Sequence, residues 1–190
     1  MIGSRTLDRF DSLRTRFERL YGDRAERCMQ RLLVLVGRYA GERTRPRDAR
    51  SWDETDSVLI TYGDTVSRPT EPPLRTLARF ARSHLRHAFS TIHILPFFPY
   101  SSDDGFAVID YRKVNEDLGG WEDVEALGKD FDLMFDLVLN HVSSESEWFH
   151  DFLRGISPNR NYFIEVPPDT DLSAVVRPRS LPLLTEVETP

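Results

Sequence analysis

The chain has 190 residues, 39% of them hydrophobic and 29% charged, with a formal net charge of -6. That length suffices for a domain with a real core, no apolar run approaches the roughly 18 residues of a membrane span, and the acid excess argues against nucleic acid as the main partner. The lone cysteine, Cys28, excludes an internal disulfide and reads as a packed thiol, and the opening stretch MIGSRTLDRFDSLRTRF lacks the apolar core of a secretory signal, so a cytoplasmic protein is expected.

From Leu7 to Tyr39 the apolar residues recur at helical spacing with Gly22 as a break, which predicts two helices. Residues 41 to 51, GERTRPRDARS, are charged, show no period and read as a connector. The pattern then changes. DSVLITYGD (56–64), TIHILPFFP (91–99) and FDLMFDLVLN (131–140) are short runs rich in apolar, β-branched and aromatic residues. Near-continuous apolar strands are what a parallel sheet covered on both faces requires.

Between the first two runs, PPLRTLARFARSHLRHAF places Leu74, Leu77, Ala81, Leu85 and Ala88 on one stripe, behind prolines whose missing N–H is harmless at a helix start. GWEDVEALGKD is a shorter helix between the second and third. This is the βαβ rhythm of a parallel α/β fold. After the third run, Ser144 and Glu147 have the spacing of a capping box that opens a helix burying Trp148, Phe149, Phe152 and Leu153. From Pro158 onward the chain is proline-rich and irregular. Three βα units make either a small open sheet or the front part of a larger body.

In parallel α/β folds, ligands sit at the carboxyl ends of the strands. Tyr62, Gly63 and Asp64 end the first run, the segment Asp103 to Phe106 follows the second, and Asn140 and His141 end the third. A neutral histidine at such a rim can hold a hydroxyl. Other roles stay open: Asp136 as a structural hydrogen-bonding group, Asn140 and His141 as strand terminators, Phe106 as core, Asp104 as a solvated turn carboxylate, and Tyr62 and Asp64 in packing or capping.

The stretches HILPFFPYSSDDGFAVIDYRKVNEDLGGWEDVEAL and FDLVLNHVS, with VVRPRSLPLL in the tail, resemble the amylase-type glycoside hydrolase superfamily and, within it, the sucrose phosphorylase branch. WDETDSVLITYGDTV and the helices before it look most like its glucosylglycerate phosphorylase-like members. The resemblance implies the first three or so βα units of a (β/α)8 TIM barrel: a helical extension over residues 1–50, barrel units over 51–157 and the start of an inserted loop-rich domain over 158–190.

It further implies that Asp103 accepts hydrogen bonds from glucosyl hydroxyls, that Phe106 lines the sugar subsite, that His141 binds near the 6-hydroxyl, and that Arg179 helps hold phosphate or the acceptor, with a plain surface charge as the other reading of Arg179. The implied substrates are a glucosyl donor and phosphate, with no metal or organic cofactor. The nucleophile, acid/base and stabilising carboxylates are expected beyond these 190 residues, so no catalytic residue is assigned and the chain alone is expected to be inactive. An amylase-type hydrolase and a noncatalytic sugar-binding protein are the competing readings.

Overall fold

The computed structural model describes residues 4–39, 53–176 and 183–188. The chain divides into two compact units, Met1–Ser51 and Trp52–Pro190. The connector expected at 41–51 and the RPR segment that contains Arg179 lie outside the described residues.

In the first unit, α1 (Ser4–Tyr21) and α2 (Ala25–Tyr39) are joined by a single tight turn, Gly22–Arg24. Gly22 stands at φ +52°, a left-handed geometry that an L side chain resists, which is why the break falls there. Ala25 and Met29 are the buried side chains of α2, and Cys28 is a half-buried free thiol.

The second unit is built on three parallel strands in the order β1-β2-β3: β1 (Val58–Thr61), β2 (Thr91–Ile94) and β3 (Asp132–Phe135). The register aligns Ile60, His93 and Met134 across the sheet, and one residue on, Thr61, Ile94 and Phe135. Side chains alternate between faces, so Val58, Ile60, Thr91, His93, Asp132 and Met134 share one face. The opposite face carries Ile92 and Ile94, both fully buried, and packs on helices. These are α3 (Pro73–His84), through Leu74, Leu77 and Ala81, and α4 (Trp121–Leu127), through Val124 and Leu127. Burying each such Leu or Ile contributes about 1.5–3 kcal/mol, so this layer is the main source of stability.

The helices are fixed at their ends by specific bonds. Pro73 opens α3, and the next amide, Leu74 N, donates to Leu118 O at 3.0 Å. The buried Asp123 of α4 accepts from Gly120 N at 3.1 Å and from Arg75 Nε on α3 at 2.8 Å, which caps one helix and clasps it to the other. Among the described residues no helix is long and apolar enough to cross a membrane.

Each strand is shorter than its apolar run. β2 stops at Ile94 because Pro96 and Pro99 follow and cannot donate to a ladder. β3 stops at Phe135 although the apolar alternation runs on, because Phe135 pairs with Ile94, the last residue of β2. Ala88 falls beyond the end of α3 and is exposed. The helix after β3, α5 (Glu147–Leu153), is capped by Ser146, whose Oγ accepts from Phe149 N at 3.2 Å, and not by Ser144. Ser146 N is first turned back onto Ser143 O at 3.1 Å, which delays the helix start by two residues. Trp148, Phe149, Phe152 and Leu153 are half-buried rather than buried.

Candidate functional site

The segment after β2 leaves the sheet through Leu95, whose amide donates to Thr61 O at 2.9 Å. It then folds into a small antiparallel hairpin with Tyr100 bridged to Val108. Ser101 N donates to Ala107 O at 3.1 Å, Ala107 N to Ser102 O at 3.2 Å, and Ile109 N to Pro99 O at 2.7 Å. The tip of the hairpin is Asp103-Asp104-Gly105, with φ of 59°, 49° and 101° in succession.

Three consecutive positive φ values are uncommon, and each non-glycine residue held there costs roughly 1–2 kcal/mol. Aspartate tolerates this region better than most residues. Glycine is required at 105, where a Cβ would stand 2.7 Å from Pro96 O. The tip is closed by Phe106 N donating to Asp103 O at 2.9 Å. As a result the Asp103 side chain projects into solvent with no hydrogen-bond or ion-pair partner among the described residues, while Phe106 is half-buried behind it.

The segment after β3 is stitched onto this hairpin. Ser143 N donates to Val108 O at 2.9 Å, and Ser143 Oγ lies 2.7 Å from Ser101 Oγ and accepts from Glu145 N at 3.0 Å. One turn earlier, Tyr111 Oη donates to Val138 O at 2.5 Å, and burial pushes this phenol's pKa up. Asn140 and His141 lie between these two anchors and are exposed. The structure thus joins the loop bearing Asp103 and Phe106 to the loop bearing His141. Tyr62 and Asp64, just past β1, are also exposed; Thr65 turns back on Thr61, hydroxyl to hydroxyl at 3.0 Å.

A pair not singled out from the sequence lies on the face opposite the helices. His93 Nε2 is 2.9 Å from Asp136 Oδ2, with the imidazole N–H donating to the carboxylate. His93 is embedded in the apolar run TIHIL, where its one signal is a polar group on the strand face that the register shares with Ile60 and Met134. Asp136 therefore has the structural hydrogen bond that its place in Asp-x-x-x-Asn-His left open.

Around the hairpin's exit, Asp110 collects bonds from Arg112 N at 2.9 Å and Arg112 Nε at 3.0 Å, and Arg112 also reaches Glu147 on α5 at 3.1 Å. Partial burial works against the charge of Asp110, but the Arg112 bonds, with Lys113 nearby, outweigh it and hold the carboxyl below its usual range. A cleft of about 660 Å3 opens here, lined by Asp110, Arg112, Glu145, Trp148, His150 and Arg154 among others. It includes none of Asp103, Phe106 and His141. Within it Arg112 and Lys113 are paired with Asp110 and Glu147, whereas the side chains of Glu145, His150 and Arg154, like those of Asp103 and His141 at the rim, have no hydrogen-bond or ion-pair partner among the described residues.

Residues 87–182 match the family Alpha-amylase, described as the alpha amylase catalytic domain. The chain belongs to the alpha-amylase family. Within that family it is 47% identical over 171 residues to the glucosylglycerate phosphorylase of Allomeiothermus silvanus, a match covering 90% of this chain and 30% of the relative. It is 57% identical over 136 residues to the glucosylglycerate phosphorylase of Spirochaeta thermophila, covering 72% of this chain and 23% of the relative. Among solved structures, a variant of trehalulose synthase in complex with Tris superposes with a TM-score of 0.53 at 23% identity, over 60% of this chain and 23% of the other. The parallel sheet with its helices is therefore a partial set of alpha-amylase barrel units. The chain spans 23–30% of the length of the two phosphorylases it matches.

Proposed function

We propose that this chain supplies part of the glucosyl-binding wall of a retaining sugar phosphorylase, which moves a glucosyl group from an α-glucoside of the sucrose or glucosylglycerate type to phosphate and yields glucose 1-phosphate. The supporting observation is the joined pair of loops past β2 and β3. It presents an unengaged carboxylate at Asp103 and an unengaged imidazole at His141, in a chain 47% identical to a glucosylglycerate phosphorylase.

Retaining transfer uses two carboxylates about 5–5.5 Å apart, one attacking the anomeric carbon and one protonating the leaving oxygen. In this reading both come from barrel strands beyond β3, and the residues described here orient the sugar. The Asp103 carboxylate accepts from two glucosyl hydroxyls, each a charge-assisted bond worth about 1.5–3 kcal/mol. Phe106 offers a flat apolar edge to the C–H face of the ring. His141 donates or accepts at the primary hydroxyl. Arg179, with its planar fork, is assigned to phosphate or the acceptor.

The decisive experiment replaces the matching N-terminal part of the Allomeiothermus silvanus enzyme with this chain and supplies 2-O-α-glucosylglycerate with phosphate. Release of glucose 1-phosphate is expected. Release of free glucose at a rate independent of phosphate would make the parent a hydrolase and overturn the reading.

A further inference from the structure

We propose that His93 is a positioning residue: through Asp136 it holds the segment 136–142, and with it the His141 side chain, at the rim where the sugar is bound. The inference rests on the glucosyl-binding role proposed for His141 and adds to it a residue that acts through another.

The two loops that meet at the rim are held in different ways. The hairpin past β2 supports itself with main-chain bonds, from Ser101 N to Ala107 O, from Ala107 N to Ser102 O and from Ile109 N to Pro99 O. The segment past β3 lacks that support. The β2–β3 pairing ends at Ile94 and Phe135, and among the described residues no main-chain to main-chain hydrogen bond involves residues 136–142; the next one is Ser143 N to Val108 O. Two side chains bridge the gap. His93 Nε2 donates to Asp136 Oδ2 at 2.9 Å, and Tyr111 Oη donates to Val138 O at 2.5 Å. Asn140 and His141 follow, both exposed.

The His93–Asp136 bond sits where the ladder stops. His93 pairs across the sheet with Met134, and Asp136 lies two residues on, with its carboxylate on the imidazole. A side-chain bond thus takes over from the backbone pairing at its last rung and sets the direction in which the chain leaves β3. That face of the sheet is opposite α3 and α4, and in a barrel whose helices form the outer ring it is the interior. The His93 and Asp136 side chains are 15% and 25% exposed, so little water competes for the bond. An aliphatic residue at 93 would suit the run TIHIL, but the imidazole supplies the one donor that reaches Asp136 among the described residues. His141 is only five residues further on, so a changed exit from β3 is carried to the rim.

The test uses the chimera of this chain with the Allomeiothermus silvanus enzyme, supplied with 2-O-α-glucosylglycerate and phosphate. His93→Leu and His93→Phe, which remove the donor at two side-chain sizes, are each expected to lower kcat/KM for the glucosyl donor about 10- to 100-fold. Chymotrypsin is expected to cut both faster than the parent after Leu137 or Leu139, at a temperature where their melting curves show them folded. His93→Gln keeps an N–H donor at the reach of Nε2 and is expected to stay within about threefold of the parent. In the His141→Ala background, His93→Leu is expected to change kcat/KM by less than about twofold, because the group it positions is already gone. Equal losses with and without His141, no rescue by His93→Gln, or cleavage at the parent's rate would overturn the proposal. A parent chimera that forms no glucose 1-phosphate would count against the phosphorylase reading, and the cleavage rates would then decide the positioning role by themselves.

Discussion

Ser101 and Ser143 face each other hydroxyl to hydroxyl at 2.7 Å, and they bind the segment after β2 to the segment after β3. Ser143 is buried, and its oxygen also accepts from Glu145 N. Replacing it by alanine removes both bonds and leaves groups that water can partly reach. Ser143→Ala is therefore expected to cost about 1–2 kcal/mol and to lower the melting temperature by roughly 2–8 °C, measured by circular dichroism. An unchanged melting curve, with Glu145 amide exchange equally unchanged, would mean that the two loops are held by other means.

At Gly105 the backbone stands at φ +101° and a Cβ would be pressed to 2.7 Å from Pro96 O. Both the dihedral and the contact oppose a side chain, and the obstacle is backbone that cannot rotate away. Gly105→Ala should lose about 2 kcal/mol or more, read from urea unfolding midpoints. A loss under half that size would show that the hairpin tip relaxes freely.

Asp103 offers a way to separate binding from folding. Its φ of 59° suits glycine better than aspartate, and its carboxylate has no partner among the described residues. Asp103→Gly is expected to hold or raise stability by up to about 1 kcal/mol. In the chimeric enzyme the same change should cut kcat/KM for the glucosyl donor about 100-fold or more, from the loss of two charge-assisted bonds. Retained turnover would remove Asp103 from the sugar subsite.

The Asp110 carboxyl predicts a pH dependence. Burial alone would raise its pKa, but the bonds from Arg112, with Lys113, bring the net value below that of a free aspartate. A group depressed on folding stabilises the protein above its unfolded pKa, near 3.9, and that contribution fades as pH falls through the lower folded value. Unfolding midpoints compared at pH 5 and pH 3 should fall less for Asp110→Asn than for the parent chain. An equal fall in both would place the acid sensitivity elsewhere.

The βα alternation was legible because near-continuous apolar runs and the α3 stripe are local patterns, and Leu74, Leu77 and Ala81 are buried as their spacing requires. Strand lengths were less legible, since the end of β3 depends on what lies beside it and not on its own residues. The capping serine was misplaced by two positions because Ser144 and Ser146 both suit the role locally, and the choice is made by the turn from Ser143 to Ser146. The candidate residues Asp103, Phe106 and His141 were picked out by motif resemblance, and the structure joins the two loops that carry them. The Ser101–Ser143 and His93–Asp136 pairs were out of reach because they span 42 and 43 residues and no spacing rule encodes them.

The left-handed run at 103–105 is held against backbone sterics by the main-chain bonds of the hairpin, among them Phe106 N to Asp103 O. In the proposed subsite the Asp103 acceptor is thus held in place before any guest arrives, so docking a pyranose would not require a loop to condense around it. Calorimetry on a competent assembly should record this as a modest heat-capacity change, in proportion to the small sugar surface covered and without the larger signature of coupled ordering.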